Sequence, residues 1–418
     1  MKRRVVITGM GALTSVGNTV EETWNALING KNGIDYIRQF DTTGLKVTVA
    51  GEVKNFDPSI VVGAKDARKL DRTILLAICA AQEAYDQSEL DNSKIDPYRF
   101  GTFVTSGIGG LNTIWEECTT ANTRGFDRVS PFFIPNSIVN LVGGHIAIRF
   151  KAKGPNLPVV TACSAGTNSI GEAFRYIRDG YLEIAFAGGA EAPLNALGIA
   201  GFSNMRALSM TNNPETASIP FDLNRSGFVM AEGAGVLILE EYEHAVNRGA
   251  KILAEVVGYG STTDAYHMTA PDESAEGIDY CMRDAIKDAG IDCNQIGYIN
   301  AHGTSTVLND KIETLGIKKT FGEYAYQLNI SSTKSMTGHS LGATGAIESI
   351  VVVKAIQQGI IPPTIHYSSP DPDCDLNYTP NYAVKRHLEY GMNVNLGFGG
   401  QNAAVIFKKV GDLNEIKH

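Results

Sequence analysis

Three segments of the 418-residue sequence carry side chains able to do covalent chemistry. The first is Thr161-Ala162-Cys163-Ser164-Ala165-Gly166. An isolated cysteine is usually a small buried apolar residue, and Cys79 and Cys281 are read that way. Cys163 differs. An apolar run, 157–161, precedes it, and small residues follow before a helix begins. This predicts a strand–cysteine–helix turn, with the sulfur near a helix N-terminus whose partial positive charge favours thiolate. The small neighbours leave the sulfur open to close approach, so the chemistry implied is nucleophilic catalysis.

The second segment is Asn300-Ala301-His302-Gly303-Thr304-Ser305-Thr306, and the third is Lys334-Ser335-Met336-Thr337-Gly338-His339. Each places an imidazole in a glycine-containing turn after a strand. A lone histidine is as often a structural residue, so local context leaves both open. The other six (His145, His244, His267, His366, His387, His418) lack that setting and are read as structural or surface. Gly397-Phe398-Gly399-Gly400 reads equally as a hairpin turn or as a backbone N–H donor beside the nucleophile, with the ring as a movable gate. Gly9-Met10-Gly11 and Gly107-Ile108-Gly109 each lack the third glycine of a dinucleotide fingerprint.

The elements that must position these residues alternate between strand and helix. Buried strands are predicted at 4–8, 100–105, 184–187 and 236–239, with helices at 73–85 and 170–177. A second series has strands at 253–257, 299–301, 328–331, 392–396 and 403–407, and helices at 277–289, 310–321 and 346–358. The pattern indicates α/β layers. An internal repeat is suggested: in both Cys163–Gly166 and His339–Gly342 a reactive side chain precedes a glycine by three residues at a helix start. The boundary between halves would lie near Arg248–Lys251.

A net charge of −9 argues against a general nucleic-acid binder. The first nine residues are too short and glycine-punctuated for a signal peptide or membrane anchor, and no stretch of 18 apolar residues occurs. Six scattered cysteines without a CxxC pair argue against a disulfide framework or a zinc site, and a reducing cytoplasm fits them.

In this order, the three segments resemble the β-ketoacyl-acyl carrier protein synthases, the elongating type II branch (synthase II) most closely. The similarity runs from Val5-Val6-Ile7-Thr8-Gly9-Met10-Gly11 to Gly397-Phe398-Gly399-Gly400-Gln401-Asn402. The resemblance implies an α/β, thiolase-like, duplicated five-layer α-β-α-β-α fold in a homodimer. Residues 1–250 would form the half carrying the cysteine, and 251–418 the half carrying both histidines. It implies decarboxylative condensation of an acyl group on Cys163 with malonyl-acyl carrier protein. Backbone N–H groups of Cys163 and Phe398 would form the oxyanion hole, and His302 and His339 would hold the malonyl carbonyl. Lys334 would position His339, with Glu348 its structural partner. Asp310 and Glu313 would be structural residues near the site, and a monovalent cation beside them is left open. Thr304 and Thr306 would bind the pantetheine arm, and Ile108 and Phe202 would line the acyl tunnel. Lys65, Arg68, Lys69 and Arg206 would dock an acidic acyl carrier protein. No cofactor or metal is implied, since phosphopantetheine arrives on the carrier.

The sequence departs from the family pattern at Asp127, where a basic residue is common, and at Ser226, Ala231, Val307 and Gln401. None removes a catalytic atom. A biosynthetic thiolase would carry a second cysteine where the late motif has histidine, and a non-catalytic chain-length partner would lose the nucleophile. A polyketide-type ketosynthase shares the chemistry and remains an alternative, as does a specialised paralogue.

Overall fold

The computed structural model describes residues 2–411, so His418 lies outside the described residues. Nine strands share one sheet: β1 (Val5–Leu13), β2 (Phe100–Thr105), β3 (Ile184–Glu191), β4 (Gly233–Glu241), β5 (Ala254–Thr263), β6 (Ile296–Asn300), β7 (Asn329–Ser331), β8 (Tyr390–Gly397) and β9 (Gln401–Lys408). Their order is β2-β3-β4-β1-β5-β9-β8-β6-β7. The centre of this sheet is a short join, with Val5–Ile7 of β1 antiparallel to residues of β5. On either side the same arrangement is repeated. The first strand of each half pairs with its last, antiparallel; the last pairs with the penultimate, antiparallel; the penultimate pairs with the second, parallel.

Helix α1 (Arg72–Ser88) packs on β1 and β4, α2 (Ala165–Arg178) between the two sets of strands, and α3 (Glu276–Ala289) on β5 and β9. Helix α4 (Val307–Phe321) packs outside α3, and α5 (Thr344–Gln358) joins α2 in the central layer. Thr344 to Ile356 of α5 are all buried. A helix this apolar on every side belongs inside a core. The result is the duplicated α-β-α-β-α layering.

Two sequence readings need correction. The run 157–161 is not a strand; a single parallel bridge joins Thr102 to Asn156. Pro155 and Pro158 remove the ladder donors a strand needs there. The predicted end of the first strand at residue 8 is also too early, since β1 continues through Gly9 and Gly11 to Leu13. Those glycines are not turns. A Cβ at Gly9 would lie 2.0 Å from the Ala84 carbonyl oxygen, and one at Gly11 1.9 Å from that of Ala80. They let α1 lie directly on the strand.

The suspected repeat shifts register by three residues. A single 3₁₀ turn precedes each central helix, Ala162–Ser164 before α2 and Leu341–Ala343 before α5. Each opens with a left-handed residue, Ala162 at φ 50° and Leu341 at φ 46°. Cys163 is therefore equivalent to Gly342, and His339 lies three residues earlier.

Candidate active site

Cys163 sits in its 3₁₀ turn at the head of α2, buried apart from 8% of its surface. Strand β8 runs past it into the Gly397–Gly400 turn, which is both the hairpin to β9 and a wall of the site. The backbone N–H groups of Phe398 and of Cys163 itself lie close enough to the sulfur to favour its charged form. Gly399 and Gly400 hold φ of 93° and 75°, values that favour glycine. Burial pushes the Cys163 thiol up to about 12, and the carboxylate of Glu191 adds to this. Lys334 and the two N–H groups act in the opposite direction. The thiolate expected from the helix terminus is thus outweighed by desolvation. The buried thiol is therefore the favoured form at neutral pH, and acyl transfer must also account for its proton.

His302 follows β6 and His339 precedes α5. Their rings meet edge to face, with centroids 5.3 Å apart and planes at 87°. Burial holds both well below the ordinary imidazole value, reinforced by the Lys334 ammonium and, for His302, by the second ring. Both are neutral imidazoles at pH 7. His302 Nδ1 lies 3.3 Å from Asn395 Nδ2, and His339 Nδ1 lies 3.0 Å from the Thr344 hydroxyl. The main chain of His339 is pinned between Val229 O and Ala231 N. Lys334 and Glu348 form a fully buried ion pair at 2.5 Å.

Glu313 accepts the N–H groups of His302 and Gly303 at 2.6 and 2.7 Å, and burial raises it to about 8. Asp310 accepts from Phe221 N and Asn309 and faces the guanidinium of Arg225 at 3.7 Å. Both carboxylates are engaged by protein donors. Among the described residues no cluster of three or more His, Cys, Asp or Glu is placed to hold a metal.

Cys163, His302 and His339 line one cavity of about 280 Å³ with Thr304, Thr306, Phe202, Phe398 and Arg206. Thr304 and Thr306 are joined through their hydroxyls at 3.0 Å. Phe202 meets Phe228 edge-on at 5.6 Å and tilts towards Phe398 at 6.3 Å. Ile108 does not line this cavity; it packs in the apolar cluster behind it that also holds Cys163 and Phe202. Of the four basic positions, Arg206 is on the cavity's lip. Lys65, Arg68 and Lys69 lie on the 64–69 segment away from it, where Arg68 and Lys69 border a separate cleft with Trp115 and Phe132.

Comparison with known proteins decides the family. Residues 2–245 match the beta-ketoacyl synthase N-terminal domain and residues 253–368 the C-terminal domain. The chain belongs to the β-ketoacyl synthase family. It is 49% identical to a 3-oxoacyl-[acyl-carrier-protein] synthase 2 of Staphylococcus aureus over 97% of this chain and 98% of that one. A 3-oxoacyl-[acyl-carrier-protein] synthase 2 of Coxiella burnetii is 45% identical over 98% of this chain and 100% of its own. Among solved structures, a ketosynthase in complex with its type II polyketide acyl carrier protein and bound to a hexaketide superposes with a TM-score of 0.91. It is 36% identical, covering 98% of this chain and 100% of that one. A β-ketoacyl synthase from Burkholderia phymatum gives the same TM-score at 34% identity, covering 98% and 100%.

Sequence reasoning misses three residues that hold this ketosynthase site together. Thr344 orients the His339 ring and Asn395 the His302 ring. Glu191, fully buried at the end of β3, accepts Gly107 N, Ile108 N and Gly342 N at 2.7, 3.1 and 2.9 Å and bonds the Ser106 hydroxyl. A run such as Gly188-Gly189-Ala190-Glu191 gives no signal, because the glutamate bonds almost wholly to backbone. Of the departures, Ala231 is buried and its N–H holds the His339 carbonyl, Gln401 follows the Gly397–Gly400 turn, and the others lie further out. Val307 and Asp127 are exposed, and Ser226 meets Ser209 at 3.3 Å.

Proposed function

We propose that Cys163 carries the acyl chain as a thioester and that the protein elongates it, in fatty acid synthesis, by decarboxylative condensation with malonyl-acyl carrier protein. The observation that carries this reading is the meeting of one sulfur and two neutral imidazoles in one cavity, with two backbone N–H groups at the sulfur. Sulfur attack on the acyl carrier thioester builds a tetrahedral oxyanion. The N–H groups of Cys163 and Phe398 stabilise it, and the carrier thiol departs with a proton. Each such donor contributes about 3–4 kcal/mol to lowering the barrier. Malonyl then loses carbon dioxide. Neutral His302 and His339 donate N–H bonds to the thioester oxygen as the enolate charge develops. The resulting carbon nucleophile attacks the Cys163 thioester, releasing β-ketoacyl carrier and the free enzyme.

Lys334 and Glu348 set the field around the two rings, while Asp310 and Glu313 fix the His302 turn. Thr304 and Thr306 bind the pantetheine amides with their paired hydroxyls. Phe202 and Ile108 shape the acyl end, and Phe398 gates it. Arg206 at the lip, with Lys65, Arg68 and Lys69, steers the acidic carrier. Phosphopantetheine comes on the carrier, so the protein needs no cofactor or metal of its own. Residues 1–250 and 251–418 form the two halves of the duplication. The enzyme works as a cytoplasmic homodimer. Exposed Leu157 and Val160 beside the nucleophile, with Trp115, Phe132, Ile134 and Ile138, supply the apolar surface such a dimer buries. A polyketide-type synthase would share all of these steps, and product length with malonyl carrier separates the two.

The test splits the two half-reactions. Cys163→Ala is expected to lose acyl transfer, seen as the absent mass shift on the protein, and with it condensation. His339→Ala is expected to keep the acyl mass shift while carbon dioxide release falls by about 10²-fold or more. Condensation by Cys163→Ala, or loss of acylation in His339→Ala, would refute the assignment.

A further inference from the structure

Asn395 is fully buried on β8, two residues before the Gly397–Gly400 turn. Its amide bonds to four side chains on separate segments of the site. Oδ1 accepts from the Thr167 hydroxyl, on the helix headed by Cys163, at 2.5 Å, and from Asn393 Nδ2 at 3.1 Å. Nδ2 donates to Glu348 Oε2 at 2.7 Å and lies 3.3 Å from His302 Nδ1. The orientation of the amide follows from these partners. Turned over, its oxygen would face the Glu348 carboxylate and its NH₂ would face that of Asn393. With Nδ2 fixed as a donor, His302 Nδ1 must be the acceptor, so the ring proton sits on Nε2.

We infer that Asn395 is the positioning residue that selects the Nε2–H tautomer of His302, so that this ring can donate to the enolate oxygen during decarboxylation. The inference rests on the role proposed for His302. Asn395 touches no reacting atom. It acts through His302 and ties that ring to the Lys334–Glu348 pair. One amide thereby coordinates the nucleophile's helix, the imidazole and the buried ion pair. The tautomer matters because a neutral imidazole has one N–H. Placed on Nδ1, it would leave a lone pair aimed at the developing negative charge.

Three measurements test this. In wild-type protein labelled with ¹⁵N-histidine, long-range ¹H–¹⁵N correlation must report the His302 ring as Nε2–H. Nδ1–H there overturns the proposal whatever the variants do. Asn395→Asp keeps the shape but replaces the donor by an acceptor, favouring Nδ1–H. Carbon dioxide release from malonyl carrier is expected to fall at least 10²-fold at pH 8, with acylation of Cys163 within about twofold of wild type. Acid restores a donor, by protonating either the introduced carboxylate or the ring. The variant-to-wild-type ratio is therefore expected to climb by at least tenfold between pH 8 and pH 6. A merely structural lesion gives a flat ratio, which would sink the idea. Asn395→Leu, which only removes the donor, is expected to lose decarboxylation by about tenfold, again sparing acylation. Equal losses in both half-reactions would overturn the assignment. His302→Ala is the control: if it decarboxylates normally, the role of His302 fails, and if only the Asn395 variants do, the inference fails.

Discussion

Lys334→Met removes one partner of the buried pair and leaves Glu348 buried without its cation. Lys334 and Glu348 have side chains only 1% and 2% exposed and are 2.5 Å apart. Stripping one partner from such a pair typically destabilises by about 3–5 kcal/mol. With roughly 2.1 cal/mol/K per residue, a chain of 418 residues unfolds with about 0.9 kcal/mol/K, so Tm should fall by about 3–6 °C. The sign of the pH dependence follows from Glu348. Burial already raises it, against the pull of Lys334 and the bond from Asn395, and losing Lys334 raises it further. A carboxyl whose folded value is above its unfolded one binds its proton more tightly in the folded state. The variant is then least penalised near pH 5 and progressively more as pH rises to 8. Calorimetry at pH 5, 6.5 and 8 reads this directly. Lys334→Met/Glu348→Leu, with neither charge, should recover most of the loss. A deficit that does not change with pH, or a double variant no more stable than the single one, would refute an uncompensated charge as the cause.

Two other outcomes follow from surface and boundary charges. Arg206→Glu should raise KM for carrier-borne substrates at low ionic strength, converge towards wild type at high salt, and leave turnover of small pantetheine thioesters unchanged; a salt-independent effect would place Arg206 outside docking. Glu240 is raised by burial but lowered overall by bonds to Arg248 and His244. Its contribution is present above the unfolded carboxyl value and fades as pH falls through the lower folded one. Arg248→Leu should therefore lose stability at pH 7 and approach wild type only as pH falls through the lowered folded value of Glu240, as read by denaturant titration.

The parts legible in sequence are those written in side-chain type. Helices α3 and α5 can be placed to within two residues at their ends, and Cys163 stands out by its small neighbours, whereas His302 and His339 stay open on local context and are picked out only by the family resemblance of the three segments. What stays hidden depends on partners far along the chain. Glu191 works through backbone N–H groups of residues more than 80 positions away in either direction. Asn395 matters because Glu348, Thr167 and His302 converge on it, which no local pattern announces. The expected thiolate fails for a related reason: a helix terminus is visible in sequence, but the desolvation that outweighs it is a property of the packed site. The segment 157–161 carries strand-like residues, yet Pro158 within it and Pro155 just before it bar a ladder.

The register of the duplication bears on why the second half holds no nucleophile. Gly342 occupies the position equivalent to Cys163, yet no side chain fits there. A Cβ at Gly342 would lie 2.4 Å from Gly107 N and 2.7 Å from Glu191 Oε2. Gly107 is main chain, and Glu191 is held by four donors, so neither can swing aside. The site equivalent to the nucleophile in the second half is thus filled by the first half's 106–108 loop, which carries Ile108 to the apolar cluster behind Cys163. Gly342→Ala must push that loop. Overpacking of this kind costs about 1–3 kcal/mol, or about 1–3 °C in Tm at the entropy scale above. The displacement is transmitted through Ile108, so the range of acyl lengths accepted should change while the mass shift from acetyl transfer to Cys163 persists. Product lengths read by mass spectrometry decide it. If Gly342→Ala leaves both Tm and the product distribution untouched, Glu191 and the 106–108 loop do not form the rigid floor of the acyl site.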